Sequence, residues 1–177
     1  MAILVCPLAR VPHMIETRRP SRVVSLLDPA SAFPDAARHG VARHLKVGVN
    51  DINEERHGHV HPMGHHVRDV LAFVEDWDRV APVLVHCYAG ISRSTATAFT
   101  IACAFNPNTD EEEIAWALRT ASPSAWPNRR IVALADAELG RNGRMSAAAA
   151  AIGDGHSWED IGEAAPFELP SRFGPRP

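Results

Sequence analysis

A thiol and a guanidinium, the one a nucleophile and the other an oxyanion-binding cation, stand six positions apart in VLVHCYAGISRSTA, residues 83–96. Cys87 ends an apolar run, and Arg93 opens a segment with helical spacing. A chain building only a core would keep such a turn polar and free of thiols. Here a nucleophile and a planar cation flank a short loop, so the arrangement suggests a cradle for a tetrahedral oxyanion.

The loop residues Tyr88, Ala89, Gly90, Ile91, Ser92 and Arg93 offer backbone N–H groups around a small ring. The helix beginning near Ser92 adds its positive N-terminal end. Both stabilise Cys87 as a thiolate, the nucleophilic form of cysteine. Gly90 lets the backbone turn without a Cβ, and Arg93 supplies a fork that matches two phosphate oxygens. Ser94 can donate its hydroxyl to the sulfur and help it leave, while His86 orients the loop through backbone hydrogen bonds. A Cys-x5-Arg pair alone is weak. With His before the cysteine, Gly three after it and Ser after the arginine, chance falls to on the order of one such sequence in ten thousand by independent-residue arithmetic.

Transfer of a phosphoryl group to sulfur leaves an alkoxide or phenoxide in need of a proton. Asp51, at the end of a strand on the same edge, is the expected acid, with Glu54 and Glu55 as fallbacks on its loop. Asp76 and Asp78 read as solvated helix-end charges. The segment HGHVHPMGHH, residues 57–66, holds five of the ten histidines. No cysteine or carboxylate completes a closed metal site there by spacing, so the expectation is a polar, substrate-steering loop, with no metal and no cofactor.

These residues need a scaffold, and the hydrophobic pattern provides one. Strands are expected over residues 2–8, 22–27, 44–49 and 83–85, each bounded by Pro, Gly, Asn or Asp. Helices are expected from Pro62, with Val67, Val70, Leu71 and Val74 on one face, over 92–105, from Thr109 with Glu112 completing a capping box, and from near Asn128 with Ile131, Leu134 and Ala135 inward. Interleaved strands and helices predict an α/β single domain: a central, mostly parallel sheet flanked by helices, with its functional loops at the carboxyl ends of the strands.

At 177 residues the chain suits one domain without staples. A formal net charge of -3 and a pI near 6.3 argue against nucleic-acid binding. Cys6, Cys87 and Cys103 form no CxxC pair, which suits a reducing, cytoplasmic setting. MAILVCPLARVP is too short for a membrane span and wrongly flanked for a signal peptide. No membrane association is therefore expected. Lys46 is the only lysine, so the excess of arginine reflects composition and gives single arginines little weight.

HCYAGISRS resembles the signature loop of the cysteine-dependent protein tyrosine phosphatases, and the AGISRS form is most similar to their dual-specificity branch. The strand leading to Asp51 and the Pro127-Asn128 pair opening a late helix are similar to that branch as well. The resemblance implies a dual-specificity-phosphatase-like fold and a phosphorylated protein or peptide as substrate. It also implies Cys87 as the nucleophile that becomes phosphocysteine, Arg93 as the phosphate clamp, and Ser94 as an aid to hydrolysis. It spans residues 1–140, read as the phosphatase domain, and leaves residues 141–177 as a C-terminal helix and tail. Val49-Asn50-Asp51 stands where the larger classical enzymes carry Trp-Pro-Asp, and nothing resembles their phosphotyrosine-stacking loop. A rhodanese-like sulfurtransferase and a non-catalytic phosphate-binding module are the alternatives. The first has no call for Asp51 or for a hydroxyl after the arginine; the second typically lacks the nucleophile or the clamp. A lipid substrate ranks low because Tyr88, Ala89, Ile91 and Ser92 stand where lipid phosphatases usually carry lysines.

Overall fold

Burial on both faces selects the strands. In the computed structural model, which describes residues 2–156 and 158–174, β2 (Arg22–Leu27) and β4 (Val83–Cys87) are buried at every position. Continuous aliphatic runs of this kind form the middle of a sheet covered by helices on both sides. β1 (Ala2–Pro7) and β3 (His44–Gly48) flank them in parallel. The order is β3-β2-β4-β1-β5, and β5 (Phe167–Pro170) is the single antiparallel member, paired with β1.

One sheet face buries Ile3, Val5, Val24, Val83 and Val85 against α2 (Gly64–Val74), α3 (Arg93–Phe105), α4 (Glu111–Ala121), α5 (Arg129–Glu138) and α6 (Arg144–Ala151). The other face buries Leu4, Cys6, Val23 and Leu84 against Val11, Met14 and Ile15 of α1 (Val11–Arg18). α3 is buried from Arg93 to Cys103, and its run of Ala and Thr lets the sheet and three helices approach it closely. A short α7 (Trp158–Ile161) precedes β5.

The four expected strands and the helices near 64, 93, 111 and 129 are present. α1 went unread because eight residues with three buried apolar positions carry too little periodicity; Pro12 starts it, and left-handed Arg19, at φ 47°, ends it. The expected Thr109 cap is replaced by Asp110, whose carboxylate accepts from Glu112 N at 2.8 Å. An ionised oxygen serves the helix N-terminus better than a hydroxyl. Asp76, expected to be merely solvated, clamps Arg43 (2.7 and 3.0 Å) and Arg22 (2.8 Å), tying the end of α2 to the starts of β2 and β3. Those two guanidiniums hold its carboxyl well below the usual carboxylate range.

Beyond residue 140 the chain does form a helix, α6, and it also adds a strand. Arg141, 6% exposed, donates to Cys103 O at 2.7 Å and to Glu111 Oε1 at 3.0 Å. Phe167 and Leu169 alternate with exposed residues along β5, the period-two pattern of a strand with one buried face. Leu169 is fully buried, so Leu169→Ala should cost about 2–5 kcal/mol in urea denaturation. Val80→Ala, at a site 69% exposed, should stay within about 0.5 kcal/mol. Equal midpoints for the two variants would contradict the placement of β5 in the core.

Candidate active site

The carboxyl ends of β1, β2, β3 and β4 converge, bringing Pro7, Asp28, Val49 and Cys87 to one edge. From Cys87 the chain makes a tight loop into α3. Gly90 has φ +74°, and a Cβ there would lie 2.9 Å from Pro7 N and 3.0 Å from the Cys6 carbonyl carbon. No side chain can occupy that position without moving β1.

The loop's carbonyls are turned into the protein. Tyr88 O accepts from Leu8 N (3.0 Å), Ala89 O from Ala164 N (2.8 Å), Ile91 O from Trp126 N (2.9 Å), and Ser92 O from Ala96 N (3.0 Å). In a planar trans peptide the next N–H points the opposite way. The N–H groups of Ala89, Gly90, Ser92 and Arg93 therefore face the loop's interior. Ser92 is the N-cap residue of α3, yet its side chain does not cap the helix; its hydroxyl donates to Asp51 Oδ1 at 2.7 Å. The first turn of α3 thus keeps its donors for an anion.

Arg93 is 5% exposed and held from one side. Its Nη1 donates to Asp28 Oδ1 and to Val49 O, both at 2.8 Å. Its Nε is buried and has no hydrogen-bond partner among the described residues. Asp51 Oδ2 is 3.7 Å away, too far for one. One edge of the guanidinium is thus anchored and the other left for an oxyanion. Ser94, fully buried, holds its Oγ 3.1 Å from Cys87 Sγ.

Asp51 lines a cavity of about 780 Å³, which Cys87, Tyr88, Ala89, Ile91, Ser92 and Arg93 also line. Asn128 Nδ2 donates to its Oδ1 at 2.8 Å, while Asn128 Oδ1 caps α5 by accepting from Ile131 N at 3.0 Å. Glu54 and Glu55 do not line the cavity. Glu55, with its side chain 73% exposed, instead meets His61 at 3.3 Å and Arg130 at 3.6 Å. Among the described residues no three or more His, Cys, Asp or Glu side chains group so as to hold a metal ion. No described helix is long and apolar enough to cross a membrane.

Asp28 is not among the residues that the sequence pattern points to for the site. An acid at the carboxyl end of a parallel strand is the available clue. The pattern also gives no hint that Asn128 would reach Asp51, or that Asp154 and Glu159, from the segment after α6, would line the cavity.

His86 points to the opposite face of the sheet. Its Nδ1 lies 3.3 Å from Cys87 O, and since a carbonyl only accepts, Nδ1 carries the proton. Nε2 then accepts from Ser25 Oγ (2.5 Å), which in turn lies 2.7 Å from His44 Nε2. Burial lowers the His86 pKa to about 4, so the ring is neutral. Burial likewise pushes the Cys6 and Cys103 thiols up to about 12, which leaves both protonated at neutral pH. All three cysteines are free.

The sequence matches no protein-family model and no curated protein. Solved structures resemble it in fold. Human DUSP28 is 20% identical with a TM-score of 0.59, over 78% of this chain and 92% of that one. The PTP-2 phosphatase of Cydia pomonella is 20% identical with a TM-score of 0.58, over 75% and 83%. The Yvh1 phosphatase domain from Chaetomium thermophilum is 21% identical with a TM-score of 0.54, over 78% and 89%. The single α/β domain with its mostly parallel five-stranded sheet is therefore a dual-specificity-phosphatase-like fold.

The depressed His86 pKa has a testable consequence. An unfolded chain binds a proton at this residue below about pH 6.5 and the folded chain only below about 4. Stability should therefore fall as pH drops through that window, by up to about 3 kcal/mol from this residue. His44 and His66, whose pKa values burial also lowers, act in the same direction. Chemical denaturation at a series of pH values should show a shallower decline for His86→Asn than for the wild type, and parallel declines would contradict the assignment.

Proposed function

We propose that this chain is a cysteine-dependent phosphatase that hydrolyses phosphate monoesters on protein or peptide side chains, phosphotyrosine first, with phosphoserine and phosphothreonine as further substrates. The observation that carries the reading is the buried Nε of Arg93, which has no hydrogen-bond partner among the described residues, in a cavity also lined by a cysteine whose sulfur lies 3.1 Å from a serine hydroxyl. A buried guanidinium edge without an acceptor is costly unless a ligand completes it. A tetrahedral oxyanion in the 88–93 loop would do so.

In the first half-reaction the Cys87 thiolate attacks phosphorus. A P–S bond forms, the bond from phosphorus to the ester oxygen breaks, and Asp51 gives its proton to the leaving oxygen. In the second, Asp51 takes a proton from water as the water oxygen attacks phosphorus. The P–S bond breaks, Ser94 donates a hydrogen bond to the departing sulfur, and inorganic phosphate leaves. Arg93 and the inward N–H groups hold the equatorial oxygens throughout. The thiolate route requires no metal or cofactor, and three free cysteines fit a reducing, cytoplasmic setting.

Turnover of a phosphotyrosine peptide should vanish in Cys87→Ser while tungstate still binds by calorimetry, because the loop and Arg93 remain; Arg93→Ala should lose both. Substantial activity in Cys87→Ser would refute the covalent route.

Asp51→Asn should slow the phosphotyrosine peptide by about two to four decades. It should slow dinitrophenyl phosphate, whose phenolate departs unprotonated, far less. Equal losses on the two substrates would remove Asp51 from the acid role.

A further inference from the structure

Between Asn50 and Pro62 the chain leaves the sheet edge, carries Asp51 past the cavity, and returns toward α2. The neck of this loop is closed on itself: Asn50 N donates to Val60 O, and Val60 N donates to Asn50 Oδ1, each at 2.8 Å. Within it His59 N donates to Arg56 O at 3.1 Å and His61 lies 3.3 Å from Glu55, as in a compact loop whose ends are close. One side chain from α5 spans it. Arg130 donates from its backbone N to Asn53 Oδ1 (3.2 Å), from Nε to Pro62 O (2.7 Å) and from Nη1 to Asn53 O (3.4 Å), and its Nη2 lies 3.6 Å from Glu55 Oε1.

We infer that Arg130 is the positioning residue for the acid, pinning the Asp51 loop to the start of α5 so that the carboxyl stays in the cavity that Cys87 lines. This rests on the reading of Asp51 as the proton donor. The contacts reach both flanks of the loop, the outgoing one at Asn53 and Glu55 and the returning one at Pro62. Arg130 does not line the cavity, so it acts through the loop and not on the substrate. Asn128, two residues earlier, holds the Asp51 carboxylate itself at 2.8 Å. α5 therefore fixes both the acid group and the backbone that carries it. Arginine suits the task because its planar fork reaches separate acceptors at once, which a lysine point donor cannot.

The test uses the full chain and kcat on two substrates, a phosphotyrosine peptide and dinitrophenyl phosphate, with amide hydrogen exchange over residues 51–62. Arg130→Ala should lower the peptide rate about tenfold, by loosening an oriented catalytic group, and change the dinitrophenyl phosphate rate by less than about twofold. In the Asp51→Asn background it should add nothing. Amides of 51–62 should exchange faster while those of β2 and β4 keep their protection, and Arg130→Lys should behave more like the alanine variant than the wild type. The inference is overturned by equal losses on both substrates, by losses that multiply in the double variant, or by unchanged rates and exchange. A wild type inert on both substrates would sink the phosphatase reading and this inference with it; an active wild type with any overturning result sinks the inference alone.

Discussion

The contact on which the site depends is the close approach of Gly90 to the Cys6–Pro7 peptide. It forces the chain leaving β4 to curl tightly against the end of β1, and the curl turns the loop carbonyls outward. Once the carbonyls meet Leu8, Trp126 and Ala164, planarity of the peptide sends the following N–H groups inward. Cys87 and Arg93 then line one cavity. The electrostatic preorganisation is built from backbone geometry before any charged side chain contributes.

The charged side chains are fixed by the sheet edge. Asp28 and Val49, from the ends of β2 and β3, take Nη1 of Arg93 and leave its Nε without a hydrogen-bond partner among the described residues. Ser92 and Asn128 orient Asp51. The segment after α6 also takes part. A Cβ on Gly155 would lie 2.5 Å from the carbonyl oxygens of Ser124 and Ala125, and Ala164 closes the loop at Ala89. The 88–93 loop is thus braced by β1, by residues 126–128 and by the C-terminal segment together.

Much of this was legible in the sequence because it is local. The strand, glycine turn and helix around Cys87 lie within one short stretch, and β2, β3 and β4 announce themselves by continuous or alternating apolar runs. Asp51 could be placed beside Cys87 because the strand before it ends on the same edge of the sheet. What escaped depends on contacts between distant segments. Asp28 meeting Arg93, Asn128 meeting Asp51 and β5 pairing with β1 each join residues that no periodicity links. Asp110 displaced Thr109 as a cap for a local reason, a stronger acceptor one residue on.

The account turns on a covalent bond to one sulfur. Mass spectrometry of protein mixed with dinitrophenyl phosphate and quenched rapidly in acid tests it most directly. A phosphate adduct should appear on the peptide containing Cys87 and accumulate further in Ser94→Ala, where loss of the hydroxyl slows breakdown of the intermediate. Steady turnover with no adduct on that peptide in either protein, or an adduct on another residue, would contradict it.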